Sequence, residues 1–129
     1  SERMLLYREL DGIERDADLM AFRERLEDRF GMIPPEGREL LRIVPFRHLA
    51  CRLGVEKAVM KMKRMTLYFV SRLDSPYYQG AEFGRFIDYM VRHPRSCALR
   101  EQNGKRSMVL KNVETVEQAL GILHEIAGN

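Results

Sequence analysis

The sequence has no tryptophan, two cysteines, three histidines and five prolines among 129 residues. Cys51 and Cys97 form no CxxC pair, and each lies among apolar neighbours. They read as reduced core residues of a cytosolic protein, with a disulfide or a reactive thiol as the alternative. His48, His93 and His124 are far apart and have no acid or cysteine at ligand spacing, so they read as surface or boundary residues. No apolar run approaches the roughly 18 residues that cross a bilayer, and no signal peptide opens the chain. These absences predict a cytoplasmic chain with no bound metal and no membrane partner.

What is present is ordinary for a globular domain: 45% hydrophobic and 32% charged residues. A chain this long is one domain, residues 1–129, burying roughly two-thirds of its unfolded surface without a disulfide or metal. The net charge of +3 conceals an asymmetry. Up to Val44 there are eleven acids against eight arginines, and from Pro45 onward fourteen bases against eight acids. The two parts favour different partners.

Met4, Leu5, Leu6, Tyr7 and Leu10 predict a short helix starting almost at residue 1. A helix with no cap or lead-in predicts a piece cut from something longer. Leu19, Phe22, Leu26 and Phe30 recur at helical steps and predict a second helix, capped by Asp16 or Asp18 and stopped by a left-handed Gly31. Pro34 and Pro35 prepare a third helix, to about Leu53, with Glu36 and Glu39 adding favourable charge to its start. Leu40, Leu41, Val44, Leu49 and Leu53 are its expected core face. Pro45 removes one hydrogen bond and should kink or split it.

Beyond Gly54 the period changes. "VEKAVMKM" and "TLYFV" predict one hairpin, and Asn103-Gly104 between two strand-like runs predicts another. A helix marked by Phe83, Phe86, Ile87 and Met90 lies between them, and a last helix near 114–126 follows. The expected fold is α+β: N-terminal helices, then two hairpins forming a small antiparallel sheet, with helices packed against it.

Catalytic equipment is scarce. Gly104-Lys105-Arg106-Ser107 resembles the end of a phosphate-binding loop, but the motif's first glycine is missing and the hairpin explains it better. No serine has a nucleophile-elbow context, so the fragment reads as no enzyme, with no catalytic residue and no cofactor. Arg47 to Arg72 is basic, holding Lys57, Lys61, Lys63 and Arg64 against Glu56 alone. Its ordinary reading is the solvent face of a hairpin, where lysines also discourage edge-to-edge pairing. The functional alternative is a nucleic-acid-binding accessory module touching phosphates.

In "LEDRFGMIPPEGRELL", Asp28 falls in the last helical turn before Gly31, where the backbone dipole disfavours an acid by a few tenths of a kcal/mol. Glu24 adds a second acid one turn earlier. On a helical wheel both point away from the apolar stripe, which Arg25 and Arg29 border. One reading is an exposed pair of Asp28 with Arg25 or Arg29, worth about 0–1 kcal/mol. The other is a binding face whose charge a partner compensates.

Four segments carry a resemblance: Leu6-Tyr7-Arg8, Asp28-Arg29-Phe30-Gly31-Met32-Ile33-Pro34, Leu40-Leu41, and Ala50-Cys51-Arg52-Leu53-Gly54-Val55. In these the chain resembles the C-terminal domain of bacterial transcription-repair coupling factors. The matches cover the first half; beyond Lys57 only the pattern of elements agrees. The resemblance implies a parent that is an ATP- and Mg-dependent, superfamily-2 translocase on double-stranded DNA. Such a parent displaces stalled RNA polymerase and recruits the excision-repair sensor UvrA. This domain is then a regulatory clamp, docked on the N-terminal UvrB-like module of the same chain and masking the UvrA-binding surface. The implied docking residues are Asp28 and Arg29, with Phe30, Gly31 and Pro34 shaping the motif. The family's acid three positions before the aspartate is replaced here by Arg25, and Glu24 is the candidate substitute. Pro45 also departs from the family's uninterrupted helix.

Overall fold

The computed structural model describes residues 2–128. Three helices, α1 (Glu2–Asp11), α2 (Asp16–Phe30) and α3 (Pro35–Arg52), lead into a hairpin of β1 (Val55–Lys61) and β2 (Arg64–Phe69). A 3₁₀ turn (Pro76–Gln79) and α4 (Ala81–Arg92) follow, then a hairpin of β3 (Cys97–Gln102) and β4 (Lys105–Lys111), and finally α5 (Val116–Ala127). The sheet order is β1-β2-β4-β3, antiparallel throughout. This is the α+β arrangement that the change of hydrophobic period implies.

Alternation in the strands sorts the two sheet faces. Met65, Leu67 and Phe69 of β2, with Met108 and Leu110 of β4, are buried on one face against Leu49, Leu53, Phe86 and Leu123 of the helices. Phe69 meets Phe83 and Phe86 edge-on, at centroid distances of 5.3 and 4.8 Å, a favoured aromatic geometry. A second, smaller core joins Leu10, Ile13, Phe22, Ile33, Leu41 and Val44 across the first three helices. Since α3 contributes to both, it connects the N-terminal helices to the sheet.

Several sequence expectations are corrected. Asp16 is the first helical residue of α2, and the residue before it, Arg15, makes no side-chain cap bond. Both acids lie in the first turn, where they act through the dipole rather than as caps. Gly31 has φ 84° but ψ −159°, a region essentially confined to glycine, not the left-handed helical well. Leu40 is exposed, and Phe46 and Ala50 take the core places. The helix α3 is continuous through Pro45 rather than split, because buried Val44 and Phe46 hold both of its neighbours in the two cores. Cys51 is exposed; Cys97 is buried, donates from Sγ to the His93 carbonyl at 3.4 Å, and burial pushes its thiol up.

Glu39 has a use that its place in α3 does not reveal. Its two carboxylate oxygens accept the N–H groups of Val116 (2.8 Å) and Glu117 (3.1 Å), satisfying donors at the start of α5. Partial burial raises its carboxyl, but these backbone bonds and Arg42 outweigh it and leave the group below its usual value of 4.5. A lowered folded-state value stabilises above the unfolded value and is lost as pH falls through the folded one. Thermal melts of Glu39→Gln should therefore show a deficit against the parent chain at pH 7 that shrinks steadily below pH 4.5. A deficit independent of pH would contradict the charged cap.

Candidate docking face

The α1–α2 pair decides which charges of the α2 motif remain available. Arg25 pairs with Glu9, and Arg29 pairs with Glu2. Both arginines are thereby turned toward α1, and their guanidinium groups also lie over the Phe22 and Phe30 rings, at 5.8 and 5.2 Å. Neither pairs with Asp28. Among the described residues, Glu24 and Asp28 have no ion-pair or hydrogen-bond partner, and both are exposed. The wheel's outward placement of Asp28 is correct, and of the two readings of this acid, the pair with Arg25 or Arg29 does not form.

The end of the same helix also exposes apolar side chains. Phe30, expected on the buried stripe, is 55% exposed, and Met32 is 89% exposed. The reason is the turn: the Gly31 N–H closes α2 on the Glu27 carbonyl, and the chain then veers so that Ile33, not Phe30 or Met32, enters the small core. Pro34 is the residue before α3, with φ −68° and ψ 164°, and Pro35 opens the helix. The motif thus exposes two unpaired carboxylates on one side of α2 and two apolar side chains, Phe30 and Met32, at its end. Met32 was not singled out in sequence; its place immediately after a helix-stopping glycine was the available signal.

The basic segment 47–72 does not form one patch. Arg47 pairs with Asp11 at 3.5 Å, Arg72 with Asp74 at 3.4 Å and Lys63 with Glu114 at 3.4 Å. Arg52, Lys57, Lys61 and Arg64 remain without ion-pair partners among the described residues; Arg52 ends α3, and the other three lie on the sheet face that carries Tyr68. The Met62-Lys63 turn has φ 54° and 61°, the mirror-image turn that the strand twist favours and that side chains other than glycine rarely adopt. Among the described residues, no group of three His, Cys, Asp or Glu side chains is placed to hold a metal ion. None of the described helices is long and apolar enough to cross a membrane.

The architecture places the chain among α+β domains whose helices cover one face of an antiparallel sheet. It belongs to the TRCF domain family, whose model matches residues 1–79. The crystal structure of the C-terminal domain of transcription-repair coupling factor has the same fold. That match has a TM-score of 0.70 over 97% of this chain and 80% of that one, at 19% identity. No curated protein matches significantly. The family match ends at Gln79, so α4, the second hairpin and α5 are related to that domain by fold alone.

Proposed function

We propose that this chain is the regulatory docking domain of a transcription-repair coupling factor, with Glu24 and Asp28 as the charged part of a reversible latch. The latch closes on the N-terminal UvrB-like module of the same protein and masks its UvrA-binding surface. The parent is an ATP-driven translocase on double-stranded DNA that displaces stalled RNA polymerase in the cytoplasm. Membership of the TRCF family supports the setting. The observation that carries the docking role is the pair of exposed, unpartnered carboxylates on α2, with exposed Phe30 and Met32 at the end of the same helix. Unpaired charge together with exposed apolar surface suits specific, reversible association. Arg29, paired with Glu2, keeps the tip in shape and joins the contact by exchanging that acid for one on the partner.

A latch must open, so its net strength should be a few kcal/mol, or the opening signal would need an equally large bias. In the intact protein, Glu24→Lys with Asp28→Lys should raise ATP hydrolysis in the absence of polymerase several-fold and expose UvrA binding. Unchanged hydrolysis and unchanged UvrA binding would refute the latch.

A further inference from the structure

The helix-free face of the sheet has a charge distribution that folding alone does not explain. Register places Lys57, Lys61, Arg64, Arg100, Lys105 and Lys111 on this face, and every one is exposed. Apart from Glu56, at the irregularity in the pairing of β1, no acid occupies a strand position on it. Among the described residues none of the six has an ion-pair partner, whereas Arg106, on the covered face, is paired with Glu101 at 2.8 Å.

Lys61, Arg64 and Lys111 lie directly opposite one another across three strands. Neighbouring strands are about 4.8 Å apart, and like charges in that position destabilise a sheet. Protection of sheet edges accounts for lysines on β1, but Arg64, Lys105 and Lys111 are on the interior strands β2 and β4. Between the charged rows lies an uncharged row of Val59, Thr66 and Val109. Tyr68 stands beside it, with the Lys57 ammonium 5.9 Å from its ring centroid. Tyr68, Arg100, Gln102, Lys105 and Ser107 line a hollow of about 790 Å³, and Glu56 is the one acid among the described lining residues.

We propose that this face binds single-stranded nucleic acid. The two cationic rows track the phosphates, Tyr68 stacks one base, and exposed Gln102 faces a base edge. A duplex hides its base faces from such a platform, and the face offers no helix to enter a groove. A membrane surface would require large apolar side chains to insert, and here the face has only Val59 and Val109, both partly covered. The proposal uses a different surface from the α2 tip and does not depend on the latch.

Fluorescence anisotropy of the chain with a labelled oligothymidine of about 12 nucleotides tests it. Binding should be saturable at about 20 mM salt, with a log–log salt slope near −3 for about four phosphates. Arg64→Glu should weaken it at least tenfold while raising the melting temperature, because it relieves the like-charge row; loss through misfolding is thus distinguished. Tyr68→Leu should weaken it by about five- to a hundredfold with the salt slope unchanged. Glu24→Lys with Asp28→Lys should leave it unchanged. No binding at low salt, full affinity in Tyr68→Leu, or equal or tighter binding to duplex DNA, polyglutamate or phosphatidylserine vesicles would each overturn the proposal.

Discussion

Gly54→Ala is expected to lower the unfolding free energy by about 3 kcal/mol, or to prevent folding altogether. Gly54 joins α3 to β1 with φ 84°, where an L side chain is strained. A methyl group there would lie 2.1 Å from Cε1 of Tyr77, closer than any contact that can be tolerated. Tyr77 cannot easily withdraw. Its hydroxyl donates to the Leu53 carbonyl at 2.6 Å, and its ring packs against Phe83 at 5.7 Å and Tyr78 at 5.1 Å. Overpacking and backbone strain therefore act together at the junction of α3 with β1. Urea titration of the variant gives the value; a loss below about 1 kcal/mol would mean that the junction relaxes freely.

The second large effect is on association rather than stability. Reversing Glu24 and Asp28 should stabilise the chain slightly, by a few tenths of a kcal/mol, since lysines near the end of α2 suit the helix dipole better than acids. The same change should weaken docking on a cationic partner surface about a hundredfold, equivalent to about 2.7 kcal/mol. The opposite signs are informative. A purely structural role for these carboxylates would make the variant less stable, whereas a docking role leaves it folded but unable to close.

The parts legible in sequence are those with strong local causes. Asn103-Gly104 adopts φ 54° and 73°, as a two-residue hairpin turn requires, and the paired prolines open α3. The change from helical to alternating periodicity near Gly54 marks where β1 begins. The errors lie where tertiary contacts decide. Phe30 fits the apolar period of α2 but extends past the end of the small core, so periodicity could not reveal its exposure. Glu39 looks like an ordinary acid near the start of α3 yet caps a helix 77 positions away. The ion pairs of Arg25 and Arg29 with α1, which leave Asp28 unpaired, depend on how two helices lie together. The basic sheet face was only half visible, because Arg100, Lys105 and Lys111 join it through strand order rather than proximity in sequence.

The most direct measurement is a calorimetric titration of this chain onto the proposed docking partner, a UvrB-like module of the parent protein, at two ionic strengths. We expect association that weakens with salt and falls about a hundredfold in the Glu24→Lys, Asp28→Lys variant, with the melting temperature of the variant undiminished. Equal affinity of the parent chain and the variant, or no association between the two modules, would contradict it.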